Sequence, residues 1–367
     1  MEQWQEALQD HDLTARLIDH LHRLDLPDEV RLMEVCGTHT MAIARYALRD
    51  LMPDTITLTS GPGCPVCVTA TADIDTFIAA GSIPKVIITT FGDLIRVPGS
   101  NSSLQKEMGQ GSDIRVVYSP LDALELARTH PDREVIFLGV GFETTTPTVA
   151  ATILTAQAER IDNFSIISSH KVMMPALSAL LNDPQIRIDG LLCPGHVSVV
   201  IGASAYTDLV AKYQTPCVVT GFEPLDILQG ITLLAQQIAA GKARIEVAYQ
   251  RAVSNHGNAK ARAVIDSVFA PAKAIWRGIG EIAHSGLVVR DSFSQFDAVQ
   301  RFNITTPPSR EPKGCRCGEV LKGIMQPPEC KLFGGGCTPG HPVGPCMVSS
   351  EGACAAFHKY DPAMGKD

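Results

Sequence analysis

The stretch IRVVYSPLDALELARTHPDREVIFLGVGFETTTPTVAATILTAQAERIDNFSIIS, residues 114–168, reads strand, helix, strand, helix, strand. IRVVYS (114–119), EVIFLGV (134–140) and FSIIS (164–168) are short β-branched runs, largely apolar on both faces. SPLDALELARTH and TPTVAATILTAQAE, between them, carry apolar residues at helical spacing. Strands that need cover on both faces, alternating with amphipathic helices, form parallel sheets with helices above and below, so the class is α/β. The alternation continues outward, upstream to ITLTS (56–60) and KVIITTF (85–91) and downstream to IDGLLC (188–193) and PCVVTG (216–221).

An internal echo suggests two related lobes. GVGFETTTPTVAATIL (139–154) and VTGFEPLDILQGITLL (219–234) both run strand, Gly-Phe-Glu, helix, and SGPGCPVC (60–67) and LCPGHVS (192–198) both close a strand with a Pro-Gly turn. The expected division is an N-terminal helical segment at 1–53, a first α/β lobe at 54–145, a second at 146–245, and a Cys-rich region at 246–367 packed with the N-terminal segment. The N-terminal helical reading rests on Trp4, Leu8, Leu13, Leu17 and Leu21.

Composition removes several function classes. With 45% hydrophobic and 19% charged residues over 367 positions, the chain has a core to build and is not a disordered polymer. Lys and Arg number 31 against 39 Asp and Glu, so no basic surplus exists for a nucleic-acid backbone. The longest apolar runs fall far short of the ~20 residues that cross a bilayer. The acidic, polar start MEQWQEALQDHD lacks the pattern of a secretory signal, so a cytoplasmic location is expected. Lacking a heptad seam or a long exposed apolar strand, the chain is expected to be a monomer that docks with partners.

Eleven cysteines in a reducing compartment need a use other than a disulfide framework. Cys64 and Cys67, in GPGCPVCV, sit at a strand-to-helix turn, where two sulfurs meet and a helix N-terminus favours thiolate. That suits disulfide exchange; half of a metal site, or two buried structural thiols, is the alternative. In MEVCGTHTMA, Cys36 and His39 come within reach of each other if the chain turns helically, although two packing residues would read the same way. Cys315, Cys317, Cys330, Cys337, Cys346 and Cys354 crowd among prolines and glycines in a tail with no core of its own. Such a tail needs a cross-link, and in a reducing compartment that is a metal centre. The irregular spacings favour iron-sulfur ligation over zinc; four ligands suffice, leaving two thiols spare. Asp93, Glu143, His170, His196 and Glu223 fall at strand ends, where α/β folds keep their sites, or act merely as caps and solvated loop residues. Neither GFET nor GFEP has the spacing of a phosphate loop, so no nucleotide site is assigned.

Taken in order, MEVCGTHT, SGPGCPVCV, TFGDLIRVPG, GVGFETTTPT, LCPGHVSVVIG, GFEPLDILQG, CGEVLKG, ECKLFGGGC and SSEGACAAF resemble the HypD-type maturation factors of nickel-iron hydrogenases, from about residue 30 to 360. The resemblance implies a scaffold on which the hydrogenase iron, bearing two cyanides and one carbon monoxide, is assembled. It implies a complex with a HypC-type small chaperone and a HypE-type partner that supplies the cyano group as thiocyanate. Cys36 matches the thiol that shares the nascent iron with the small chaperone, and His39 a supporting or transient ligand. Cys64 and Cys67 match a redox-active pair, with iron contact as an alternative proposal. Cys317, Cys330, Cys337 and Cys354 match the ligands of a [4Fe-4S] cluster, while Cys315 and Cys346 depart from the pattern and leave the ligand set open. The implied path runs from the cluster to the Cys64/Cys67 dithiol and on to cyanide release beside iron on Cys36, with Cys36 and Cys67 facing a cleft between the lobes. Such a protein is a redox-active scaffold rather than a turnover enzyme. A stand-alone iron-sulfur disulfide reductase explains the same tail and dithiol but leaves Cys36 idle.

Overall fold

The computed structural model describes residues 11–360; Trp4 and Leu8 lie outside them, and the remaining positions of the N-terminal reading fall on the helix His11–Arg23. Among the described residues the strands are, in chain order, β1 (Val30–Glu34), β2 (Ile56–Ser60), β3 (Val86–Thr90), β4 (Ile114–Val116), β5 (Glu134–Gly139), β6 (Phe164–Ser168), β7 (Gly190–Pro194), β8 (Cys217–Thr220), β9 (Ile245–Val247), β10 (Phe269–Trp276) and β11 (Gly280–Val289). One sheet has the order β2-β1-β7-β8-β9 and a second the order β4-β3-β5-β6, every pair parallel. β10 and β11 form an antiparallel hairpin. The α/β reading with two parallel-sheet lobes is what the chain builds.

The sheets do not divide the chain at the expected boundaries. β2, expected in the first lobe, pairs with β1 (Leu32 opposite Leu58), and β1 pairs with β7 (Leu32 opposite Gly190). β6, expected in the second lobe, instead closes the four-stranded sheet beside β5. The chain thus starts one sheet, leaves after β2 to build the other, and returns at β7. Two causes misled the linear reading. β1, with sequence VRLME, carries Arg31 and Glu34 and does not look like a buried strand, yet Val30, Leu32, Met33 and Glu34 are all buried. The two Gly-Phe-Glu motifs do belong to different sheets, after β5 and β8, but an echo between lobes says nothing about which earlier strands join each one.

Helix starts follow local chemistry. Ser119 and Asp122 make a reciprocal capping box at Pro120–Thr129, and proline opens Thr146–Glu159 and Pro224–Ala239, where its missing N–H is not needed. The helix Pro224–Ala239 covers β7 and β8 with Ile227, Leu228, Ile231 and Leu234, each fully buried, against Leu32, Leu192 and Val218. Burial of a side chain of this size contributes about 1.5–3 kcal/mol. The β10–β11 hairpin bridges to both regions, with Thr69 opposite Trp276 and Lys171 opposite Gly286. The last helix, Ala353–Tyr360, lies against the helix Gly37–Arg45. Among the described residues no helix is long and apolar enough to cross a membrane.

Candidate functional site

Parallel strands deliver their C-terminal loops to one edge of a sheet. In the order β2-β1-β7-β8 those loops carry Cys64 and Cys67, then Cys36, then His196, then Phe222 and Glu223, so motifs far apart in sequence become neighbours.

Cys36 follows β1 directly and is the N-cap of Gly37–Arg45, with extended backbone at φ −151° and ψ 122°. The backbone N–H groups of His39 and Thr38 face its sulfur and favour thiolate, yet burial dominates and pushes the thiol up to about 12, with the Glu351 and Glu34 carboxylates adding to the rise. A thiol in this setting ionises only when a cation replaces its proton. Glu34 supports the turn: its Oε2 accepts the Cys36 N–H at 3.1 Å and its Oε1 accepts the Thr40 hydroxyl. Burial raises the Glu34 carboxyl to about 7. His39, fully buried in the first turn, donates from Nε2 to the Gly221 carbonyl at 2.8 Å, an assignment that follows from the acceptor. Its Nδ1 then carries the free lone pair, buried and without a hydrogen-bond partner, and burial pushes the imidazole down to about 4. Phe222 packs between the His39 and His196 rings, with centroids 5.0 and 3.9 Å away.

The loop after β2 folds onto Cys36. Gly61 N–H donates to the Glu34 carbonyl at 2.8 Å, and Gly37 N–H donates to the Gly63 carbonyl at 3.0 Å. Gly63 is tied to glycine by space, since a Cβ there would lie 2.1 Å from the Cys36 nitrogen. Cys64 caps the short helix Pro65–Val68 by accepting the Cys67 N–H on its sulfur at 3.1 Å, and the two cysteines are joined as a disulfide with Cα atoms 5.2 Å apart. The expected open cleft is not there: Cys36 is 8% exposed, Cys64 3% and Cys67 0%. The loop closes one side of Cys36, and the turn at 349–351 covers the other. Glu351 packs on Gly37 and accepts the Thr38 hydroxyl at 2.9 Å, while Asp93 accepts Ser349 Oγ, Ser350 N–H and Ser350 Oγ at 3.0, 3.1 and 2.9 Å.

All six tail thiols, Cys315, Cys317, Cys330, Cys337, Cys346 and Cys354, line one hollow. Cys315 and Cys346 are not set apart from the other four. Val343 N–H donates to Cys337 Sγ at 3.3 Å, which ties two arms of the tail together. Neighbouring thiols and burial hold Cys315 and Cys354 well above the ordinary thiol range, while Cys317 and Cys346 are also raised, the pull of a neighbouring thiol notwithstanding. Among the described residues no three His, Cys, Asp or Glu side chains close on a single-ion site, so the sulfurs surround a space rather than a point. The helix Pro345–Val348, which carries Cys346, packs on the disulfide helix Pro65–Val68. The disulfide helix thus packs on the segment that carries Cys346, and the loop before it touches the Cys36 turn.

A model of the HypD family, described as the hydrogenase formation hypA family, matches residues 12–361. The chain belongs to the HypD family. Among its HypD relatives, the "Hydrogenase maturation factor HypD" of Rhodobacter capsulatus is 48% identical over 96% of this chain and 95% of its own length. Proteins of that same name from Cupriavidus necator and Escherichia coli are 43% and 45% identical, covering 97% and 90% of this chain and 96% and 89% of their own lengths. Membership in this group of hydrogenase maturation factors agrees with the resemblance carried by the motifs.

The remaining candidates of this HypD chain have separate environments. Glu143 is buried, accepts Met173 N–H at 3.0 Å and leaves Oε2 unpartnered. His170 is buried beside Ser168, 3.0 Å from Nδ1, and burial pushes it down to about 3. His196 and Glu223 are exposed. Cys193 and Cys217 are fully buried packing residues of β7 and β8. Sequence reasoning missed Glu34, Glu351 and the bidentate pair of Asp226 with Arg251 at 2.9 and 2.7 Å. The Asp in GFEPLD, the Glu in SSEG and Glu34 in MEVCGTHT all stood inside recognised motifs, and that was the available signal.

Proposed function

We propose that this chain is the scaffold on which the iron of the nickel-iron hydrogenase active site receives two cyanides and one carbon monoxide, and that Cys36 holds that iron. One observation carries the reading: the Cys36 turn and the Cys64/Cys67 loop are in backbone contact, through the Gly37 to Gly63 hydrogen bond and the close approach of Gly63 to the Cys36 nitrogen. A soft thiolate suits iron with strong-field ligands, and the Thr38 and His39 N–H groups stabilise it once iron displaces the proton. His39 Nδ1 is a free lone pair for support or transient ligation.

Cyanide arrives as a thiocyanate on a HypE-type partner. In its reduced dithiol form, one sulfur of the Cys64/Cys67 pair attacks the thiocyanate sulfur; the sulfur-carbon bond breaks and cyanide leaves with the bond pair. The second sulfur then attacks the mixed disulfide, the partner leaves as a thiol, and Cys64–Cys67 is again a disulfide. The dithiol gives up two protons and two electrons, and the products are hydrogen cyanide and the partner thiol. Burial of both sulfurs excludes water from this exchange. A [4Fe-4S] cluster held by Cys317, Cys330, Cys337 and Cys354 would supply single electrons to restore the dithiol. The donor set suits it: six soft thiols line one hollow, as an iron-sulfur group requires. The HypC-type chaperone shares the iron from the side covered by the 349–351 turn, and the setting is the reducing cytoplasm.

The test is an infrared spectrum of the chain copurified with its small partner, where bound cyanide and carbon monoxide absorb clear of protein bands. Cys36→Ala abolishes these bands while leaving the brown colour of the tail cluster. Bands that persist in Cys36→Ala overturn the assignment of the iron to Cys36.

A further inference from the structure

Arg277 is a buried charge that the reading above leaves unused. It follows Trp276 at the end of β10, and its side chain is 3% exposed. Its backbone N–H donates to the Val68 carbonyl and its Nε to the Thr69 carbonyl, both at 2.9 Å, so it grips the residues that end the disulfide helix. Nη1 pairs with Glu311 at 3.1 Å. Nη2 is buried and has no hydrogen-bond partner.

A buried guanidinium with an unused donor is costly unless negative charge stands nearby. Beside it, along with Glu311, Glu319 and Lys322, stand the sulfurs of Cys315 and Cys317. Gly278 and Gly318 meet backbone to backbone, a Cβ on Gly278 falling 2.1 Å from the Gly318 Cα, and that approach sets Arg277 next to Cys317. Arg277 lines a pocket that adjoins the thiol hollow, and Cys315 and Cys317 stand in the walls of both. The nearby Arg316 guanidinium is occupied by Glu319 at 2.8 Å.

We propose that Arg277 is the positioning residue of the thiol hollow, its free Nη2 stabilising the negative charge that an iron-sulfur group bound there gains on reduction. This rests on the reading of the hollow as an iron-sulfur site. Net charge and hydrogen bonds to sulfur are two of the levers by which a protein sets such a potential, and a cation held in a dry site raises it. The same residue, by its backbone N–H to Val68 and its Nε to Thr69, keeps the hollow in register with the disulfide.

The experiment is a redox titration of the full chain, loaded anaerobically with iron and sulfide and followed by electron paramagnetic resonance, for wild type, Arg277→Gln, Arg277→Lys and Glu311→Gln. Arg277→Gln is expected to lower the reduced-to-oxidised ratio at fixed potential about tenfold, which is 59 mV for one electron. Arg277→Lys keeps the charge and stays near wild type. Glu311→Gln, at a side chain 61% exposed whose amide oxygen still accepts the Thr71 hydroxyl, removes an opposing carboxylate and shifts the potential upward. Iron- and sulfide-replete Arg277→Gln protein with the wild-type potential overturns the role of Arg277. Should Arg277→Gln not fold, an unmoved or lowered potential in Glu311→Gln does the same. Wild-type protein that takes up no stoichiometric iron and sulfide overturns the iron-sulfur reading itself, a result distinguishable from both.

Discussion

Glu143 sits in the loop after β5 with one carboxylate oxygen on the Met173 N–H and the other buried with no partner, and burial raises its pKa to about 7 from 4.5. Because the folded carboxyl keeps its proton up to about pH 7 and the unfolded one releases it near 4.5, the native state binds more protons between those values. Stability from this group is therefore complete below pH 4.5, falls as pH rises to about 7, and stays lost above. Glu143→Gln keeps the acceptor for Met173 and removes the charge. Denaturant unfolding should find the variant close to wild type at pH 4.5 and more stable by up to about 3 kcal/mol at pH 8. A pH-independent difference between the two proteins would refute the burial cause. His39 and His170 behave in the opposite sense, because burial disfavours their cationic forms and holds them neutral.

At the scale of elements, two turns decide the site. The loop after β2 reaches Cys36 only because position 63 has no side chain. Gly63→Ala drives a Cβ into the Cys36 nitrogen, a backbone atom with no freedom to yield, and should cost about 3 kcal/mol or more by denaturant midpoint. Gly335→Ala, with open space at that position, should be near neutral in the same assay. The Cys64–Cys67 disulfide closes so short a loop that it constrains the unfolded chain little. Reduction with dithiothreitol should lower stability by no more than about 2 kcal/mol, with circular dichroism unchanged. The second turn, 349–351, is held by three hydrogen bonds to Asp93. Bonds to a charged acceptor contribute about 1.5–3 kcal/mol. In Asp93→Ala the cover loosens, and alkylation of Cys36, scored against Cys36→Ser, should accelerate about tenfold or more. An unchanged rate would mean that this turn does not control access.

Across the whole molecule, the tail crosses between the lobes. It contacts the four-stranded lobe through Asp93 and Arg96 and the five-stranded one through Thr38, and its helix Ala353–Tyr360 packs on the helix that Cys36 caps. Its interior is a hollow lined by sulfur instead of a packed apolar core. If metal organises that hollow, chelation under reducing conditions should open 314–345 to protease while both sheets stay intact, because parallel sheets covered by helices have cores of their own. Mass spectrometry of limited digests with and without chelator reads this directly; cleavage spread equally over the lobes would contradict it.

Periodicity in the chain determined the α/β class, because apolar runs of β-branched residues alternating with amphipathic helices have few other ways to bury both faces of each strand. Motif order and thiol spacing likewise pointed to Cys36, Cys64, Cys67 and the tail cysteines before any coordinate was known. Tertiary structure alone decided that the β1–β2 pair joins β7 rather than β3, since strand order depends on crossovers that leave no trace in local pattern. It also decided that the Cys36 turn and the Cys64/Cys67 loop are in backbone contact and closed off from solvent, and that Arg277 holds the end of the disulfide helix beside Cys315 and Cys317. Backbone approach at Gly63 and Gly278 makes those neighbours, and a glycine reads the same in sequence whether it turns in open space or lets two segments touch.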